Sequence, residues 1–395
     1  MHLELPDGSG FGAAHLPLGV FSPHGDGRRR VGVRYGEHVV DLATAWGEDT
    51  FAAPSLNRFL ATGPAGWAST RERLTALVDG DVPDAAVHAL ADVDLHLPVD
   101  VADYVDFYAS LHHATNVGRI FRPNGEPLAP NWKRLPVGYH GRAGTVVVSG
   151  TDIRRPCGLR VEPGAVGPTY GPSSRLDFEA EVGFVVGAPS TWGEPVPTAD
   201  FARHVFGVVL LDDWSARDVQ AFETVPLGPF LGKSFATSIA AWVTPLAALD
   251  AARLPLPTQD PAPADHLRPA GPWALDLDLA VTWNGETVSR PRFREMWWSA
   301  DQMLAHTTAN GASLRTGDLY GSGTVSGPER DRRGCLLELT WGGTEPLTVG
   351  GRERTFLDDG DTLTVTATAP DTAGGRLVLG EVSGRITPAT APARG

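Results

Sequence analysis

The chain has 395 residues, a formal net charge of −14 and 42% hydrophobic residues, enough for one large core beside a smaller unit. The acidic balance argues against nucleic acid or an anionic membrane as a partner, while leaving room for a small anionic substrate that responds to the local field of a pocket. Two cysteines, Cys157 and Cys335, lie far apart and outside any C-x-x-C spacing, which excludes a cysteine-based metal site and suits a reducing cytoplasm. Met1 to Pro17 lacks a basic segment followed by an apolar one, so no signal peptide is expected. No run approaches the roughly 20 apolar residues of a membrane helix. The 46 glycines and 33 prolines favour short strands and many turns. Only Lys133 and Lys233 are lysines among 33 basic residues, a bias that singles out positions where a compact ammonium is wanted.

In chain order, residues 15–43 alternate in short strand-like pieces and 55–92 carry apolar residues at helical spacing. We take 1–98 as a small, mostly β N-terminal domain and 99–395 as the second domain. Asp103 to Val117 reads as a helix, ended by Gly118 and placing Asp106 and His113 on one face two turns apart. Residues 120–174 are rich in loops, with a strand near 145–149. The stretch from Arg175 to Gly187 reads as a strand in which Glu179 and Glu181 share a face. Residues 205–213 form a buried apolar strand that ends in Asp212 and Asp213. A proline-rich excursion covers 251–272. Strands are expected at 275–283, 335–341 and 361–367, a helix at about 294–309 with Met296, Trp297, Met303 and Leu304 in the core, and a disordered tail from Thr387.

Adjacent carboxylates in an apolar strand repel and call for compensation. Asp106, Glu179, Glu181 and Asp213 together offer the oxygen ligands that a hard divalent cation selects. Four carboxylates around one dication leave a formal −2, which Arg217 and Lys233 are placed to offset. Zinc fits less well, because His112 and His113 are consecutive and no two histidines share ligand spacing. An E-x-E pair is also common on solvated strand faces, so the residues alone leave both readings open. The segment Gly228 to Ser234 has three residues between its glycines, not the four of a Walker A loop, and no G-x-S-x-G occurs. The residues thus reach a β-rich protein with a Mg²⁺ or Ca²⁺ site and a histidine nearby, but not a reaction.

Several ordered motifs carry more. Asp106-Phe-Tyr108 followed by His113-Ala-Thr-Asn-Val-Gly, Pro136-Val-Gly-Tyr139-His-Gly-Arg142, Glu179-x-Glu181, Asp213-Trp-Ser-Ala-Arg217-Asp, Pro226-Leu-Gly-Pro-Phe-Leu-Gly-Lys233-Ser-Phe and Ser322-Gly-Thr324-Val-Ser-Gly-Pro resemble the fumarylacetoacetase (fumarylacetoacetate hydrolase) family. The resemblance is close over roughly 100–385 and looser before it. It implies a mainly β (α+β) fold, with a small SH3-like N-terminal barrel, a large mixed β-roll catalytic domain and a homodimer. It implies hydrolytic carbon–carbon cleavage of 4-fumarylacetoacetate to fumarate and acetoacetate, the last step of tyrosine and phenylalanine catabolism.

By position, the metal ligands would be Asp106, Glu179, Glu181 and Asp213, with Lys233 and Thr237 adjoining and Mg²⁺ or Ca²⁺ as the ion. His113 would be the general base and Glu338 its orienting partner, with Arg217, Gln220 and Lys233 assisting catalysis. Tyr108, Arg142, Tyr139, Gln220, Thr224 and Thr324 would meet the anionic diketo acid, Arg142 pairing with its terminal carboxylate. Thr224 stands where the family usually has tyrosine, and Phe222 where it has tryptophan. A related acylpyruvate or other 1,3-dicarbonyl hydrolase is the alternative within the superfamily. A non-enzymatic protein using the carboxylates as a structural metal clip is the alternative outside it.

Overall fold

The computed structural model describes residues 1–390 except Asp7 and Pro163. The first strands are β1 (Leu18–Pro23), β2 (Arg30–Tyr35) and β3 (His38–Asp41). The helix α1 (Gly63–Asp79) follows, then the short strands β4 (Val87–Ala89) and β5 (Val93–His96). The helical reading of 55–92 therefore holds for its middle only, because Val87 and Val93 begin strands that the apolar spacing did not separate from helix. These strands pair in the order β4-β3-β2-β1-β5. β4 and β5 do not pair with each other, so the expected barrel is open.

Next come β6 (Tyr104–Phe107), α2 (Leu111–Phe121), β7 (Gly138–His140), β8 (Val146–Val148), β9 (Ala180–Val186) and β10 (Val205–Asp213). The chain continues through α3 (Arg217–Glu223), β11 (Thr237–Ile239), β12 (Trp242–Pro245), β13 (Asp278–Trp283) and α4 (Ala300–Thr308). It closes with β14 (Leu319–Gly321), α5 (Leu336–Leu339), β15 (Thr362–Pro370) and β16 (Val382–Thr387). The result is mainly β with scattered short helices.

One sheet of 13 strands runs β4-β3-β2-β1-β12-β10-β9-β14-β6-β7, with β5, β11 and β8 branching from it. β1 joins the two parts of the chain by pairing with β12 as well as with β2 and β5. Gly19 makes this contact feasible, since a Cβ there would lie 2.6 Å from the Ala241 carbonyl. The centre of the sheet is β10, Val-Phe-Gly-Val-Val-Leu-Leu-Asp-Asp, every residue of which is buried. Its branched side chains suit a strand covered on both faces. A six-stranded second sheet is built around β13, β15 and β16. Trp132, Trp214, Trp283 and Trp298 are the largest fully buried side chains, and burying each removes of the order of 150–250 Å² from water.

Four local expectations change. Asp103 to Val117 is not one helix: residues 104–107 extend β14 in parallel, and α2 begins only after Ser110. A strand of this length is too short for periodicity to reveal, and Gly118 lies inside α2. Residues 336–339 coil into α5, although Leu-Leu-Glu-Leu reads equally well as an alternating strand. The helix expected at 294–309 starts at Ala300, where Ser299 and Gln302 form a capping box; Met296, Met303 and Leu304 are buried and Trp297 is half-buried. Thr387 is ordered, paired with Arg154 at the end of β16, and residues 391–395 of the expected tail lie outside the described residues.

Candidate active site

Sheet register assembles the acidic cluster. Asp106 on β6 stands opposite Gly321 of β14, and Gly183 of β9 stands opposite the same glycine, two residues from Glu181. Asp213 ends the neighbouring strand β10, and Glu179 occupies the short break just before β9. One carboxylate oxygen from each of Asp106, Glu179, Glu181 and Asp213 lies within 4.8 Å of the others, and all four residues are buried. The pair Glu179 and Glu181 is thus brought together as expected, although Glu179 lies outside the regular ladder. Gly321 is essential to the arrangement: a Cβ there would sit 2.7 Å from Asp106 Oδ1 and 2.8 Å from Glu181 Oε2.

The cluster divides into two electrostatic halves. Burial, then the charge of Asp213, pushes the Asp106 carboxyl well above its ordinary range; burial, then Asp106, does the same to Glu181. Asp106 Oδ1 and Glu181 Oε1 are buried without a hydrogen-bond partner. Glu179 is the opposite case. Burial would raise it, but Arg217 and Lys233 outweigh burial and hold it well below the usual carboxylate range. Arg217 Nη2 donates to Glu179 Oε1 at 2.7 Å, while Lys233 Nζ bonds Glu179 Oε2 and donates to Asp213 Oδ2 at 2.7 Å. Thr237 Oγ1 donates to Asp213 Oδ1 at 3.0 Å, and the Tyr139 hydroxyl lies 3.0 Å from Asp106 and 2.9 Å from Asp213. Orphaned buried oxygens in an all-oxygen donor set fit a hard divalent cation held by the four carboxylates.

His113 sits in the first turn of α2, which Ser110 caps by accepting the His113 backbone N–H at 3.2 Å. Its Nδ1 lies 2.6 Å from Glu338 Oε2 and its Nε2 lies 3.7 Å from Glu179 Oε1. Glu338 is enclosed by further donors: Asn116 Nδ2 at 2.8 Å, Ser326 Oγ at 2.7 Å and Cys335 Sγ at 3.3 Å. Burial acts against its ionisation, yet His113 and these bonds lower its pKa to about 2. An ionised carboxylate only accepts, so Nδ1 carries a proton, and in the neutral imidazole this leaves Nε2 as the acceptor. Tyr108 packs edge-on against the imidazole with ring centres 5.2 Å apart.

A cavity of about 380 Å³ opens onto both groups, lined among others by Tyr108, His113, Tyr139, Arg217, Gln220, Thr224, Lys233 and Thr324. Gln220 Oε1 accepts from Arg217 Nη1 at 3.2 Å, which turns its amide N–H groups free, and the Thr224 hydroxyl donates to the Gln220 carbonyl at 2.6 Å. Thr324 Oγ1 is buried without a partner. One expected residue is misplaced: Arg142 is exposed beside Ala143–Thr145 and does not line the cavity. The motif fixed its neighbour Tyr139 but not the direction of the next turn. The arginine that lines the cavity is Arg217. Residue reading also missed Asn116 and Ser326. Asn116 follows His113 by three residues, one helical turn, and that spacing is a usable signal; Ser326 lies within the quoted Ser322-Gly-Thr324-Val-Ser-Gly-Pro motif, which gives it no role.

Two family models match the chain: "Fumarylacetoacetase N-terminal" over residues 14–98 and "Fumarylacetoacetate (FAA) hydrolase C-terminal" over 103–386. The chain is 43% identical to fumarylacetoacetase of Caenorhabditis elegans, covering 98% of this chain and 99% of the relative. It is 42% identical to fumarylacetoacetase of Homo sapiens, covering 99% of each. Among solved structures, a fumarylacetoacetate hydrolase from Exiguobacterium antarcticum superposes with a TM-score of 0.55 at 19% identity, over 94% of this chain and 99% of the other. A maleylpyruvate hydrolase from Sphingobium does so at 0.54 and 16%, over 94% and 100%; at these identities the likeness concerns the fold. The chain belongs to the fumarylacetoacetase (fumarylacetoacetate hydrolase) family.

Proposed function

We propose that this chain hydrolyses 4-fumarylacetoacetate to fumarate and acetoacetate, with His113 as general base and Asp106, Glu179, Glu181 and Asp213 as ligands of Mg²⁺ or Ca²⁺. The observation that carries the reading is the meeting, in one cavity, of a carboxylate-held histidine and an acid cluster with orphaned oxygens. Family membership at 42–43% identity over nearly the whole chain supports the substrate.

The residues divide the work. Water is too weak an acid to attack a ketone unaided, so His113 Nε2 takes its proton as the oxygen adds to one carbonyl. Glu338 keeps the imidazole oriented and stabilises the imidazolium. Negative charge develops on the attacked oxygen, toward which Arg217, Lys233 and the Gln220 amide are donors in a buried setting. The carbon–carbon bond then breaks, and the departing carbon regains a proton to give acetoacetate. A bound divalent ion supplies a Lewis acid for the oxygens of the 1,3-dicarbonyl group. Tyr108, Tyr139, Thr224 and Thr324 shape the cavity.

The same reading divides the chain near residue 98 and makes it a cytoplasmic homodimer acting in tyrosine and phenylalanine breakdown. Two unpaired cysteines agree with a reducing compartment, and among the described residues no helix is long and apolar enough to cross a membrane. Phe222, Val225, Leu227, Phe230 and Leu231 are exposed beside the cavity, which supports a covering subunit. Following fumarylacetoacetate by its ultraviolet absorbance, beside an acylpyruvate control, tests the substrate. Faster turnover of the acylpyruvate would replace this reading with the related 1,3-dicarbonyl hydrolase.

A further inference from the structure

Asp177 lies two residues before Glu179 and is fully buried, yet it does not line the cavity. Its carboxylate accepts four hydrogen bonds. Oδ1 takes the backbone N–H groups of Phe178 at 2.8 Å and Leu336 at 2.7 Å. Oδ2 takes the Leu337 N–H at 2.9 Å and Arg217 Nε at 2.8 Å. Two of these donors open α5, the helix that bears Glu338 and through it holds His113. The same Arg217 guanidinium holds Glu179 through its Nη2. One carboxylate therefore ties the element that orients the base to the cation that steadies the acid cluster.

We infer that Asp177 is a positioning residue that sets the distance between His113 and the Arg217–Glu179 pair. The inference rests on the roles of His113 and Arg217 given above. The chemistry of the position is demanding, because a carboxylate offers acceptors on both oxygens and all four donors are N–H groups. An asparagine has the same size but only one acceptor atom, so its NH₂ faces two N–H donors and both ties cannot persist. Either α5 or the Arg217 side chain then shifts. Displacement of this kind, of about 1 Å, costs about 10²-fold in turnover.

The test is a pair of double-mutant cycles on kcat in the full chain. Asp177→Asn should lower kcat about 10²-fold with KM changed little, because substrate does not touch residue 177. Combined with Arg217→Lys, and separately with Glu338→Gln, it should add far less than its own factor, since each partner already breaks one branch of the relay. Multiplicative losses in both cycles, or a kcat close to wild type, would overturn the inference and leave Asp177 a structural residue. A crystal structure of Asp177→Asn decides the matter independently of substrate. Lengthening of His113–Glu338 or Arg217–Glu179 supports the relay, and unchanged distances refute it. Failure of the wild-type chain to hydrolyse fumarylacetoacetate would refute the proposed function and leave this structural result standing.

Discussion

The two halves of the site are both buried and both rich in carboxylates, yet they are built on opposite principles. Around Glu338 every oxygen is answered: His113, Asn116, Ser326 and Cys335 all donate to it. Around Asp106 and Glu181 oxygens go unanswered and the carboxyls are driven toward their neutral forms. Leaving a buried polar group unpaired costs about 1–3 kcal/mol, and more for a charge. Two of the four clustered carboxylates, Asp106 and Glu181, each carry one such oxygen. The closed half orients His113 through Glu338; the open half carries an all-oxygen donor set that suits a hard cation. Glu179 belongs to both, bonded to Arg217 and Lys233 and facing His113.

Breaking the closed half should have the largest single effect. His113→Ala should lower kcat about 10²–10⁴-fold, the usual worth of a positioned base, while divalent-ion binding stays intact. His112, consecutive but absent from the cavity lining, is the control, and His112→Ala should be nearly silent in the same assay. Equal losses for the two would erase the distinction.

The boundary between the halves is tested by Lys233. Its ammonium touches both Glu179 and Asp213, and a planar, wider guanidinium does not fit the same gap. Lys233→Arg should cost kcat about 10²-fold, the order of losing one oxyanion donor. Lys133 lies 5.0 Å over the Trp297 ring, a contact that arginine also makes, so Lys133→Arg should leave kcat within about twofold. Matching small effects would mean that only charge counts at 233.

A smaller effect sharpens the view of the cavity. Thr224 lines it with a short side chain, and Thr224→Tyr should lower KM for fumarylacetoacetate by adding a ring and hydroxyl contact. The ordinary gain from one such hydrogen bond is about 0.5–1.5 kcal/mol, or roughly two- to tenfold. A raised KM would show that this wall of the cavity has no room for the ring.

Acid stability gives the subtlest contrast. The Glu338 pKa is depressed from 4.5 to about 2, so its ionised form stabilises the fold above pH 4.5, and that contribution is lost as pH falls through this window. Thermal melts of wild type and Glu338→Gln should therefore converge as pH is lowered from 4.5 toward 2. A difference independent of pH there would mean that Glu338 is not held ionised.

How much of this was legible in the residues follows the same division. The open half could be read early, because carboxylates in apolar strands are chemically conspicuous: Glu179, Glu181 and Asp213 declare themselves against Phe178, Val182 and the run from Val205 to Leu211. β10 occupies Val205–Asp213 as its composition implied. The closed half was not legible in this way. Its parts come from α2, α5 and the loop carrying Ser326, brought together over more than 200 residues of chain, as the His113–Glu338 pair shows. Period 2 and period 3.6 also do not differ over four residues, so Leu-Leu-Glu-Leu of α5 reads as a strand and, in the open half, Tyr-Val-Asp-Phe of β6 reads as a helix. Family motifs supplied His113 and Glu338, but they misdirected at Arg142, where only the path of the turn decides what meets the cavity. Asp177 stood in full view in the sequence, and its role became visible only when its four donors did.

The most direct test of the account is a calorimetric titration of the chelated protein with Mg²⁺ and Mn²⁺, paired with fumarylacetoacetate turnover on the same samples. One ion per chain should bind, with turnover restored in proportion to its binding. Binding and turnover should both be much weaker in Glu181→Gln, which removes one anionic ligand, and His113→Ala should show full binding without turnover. Full activity in a demonstrably metal-free sample, or tight binding in Glu181→Gln, would contradict this.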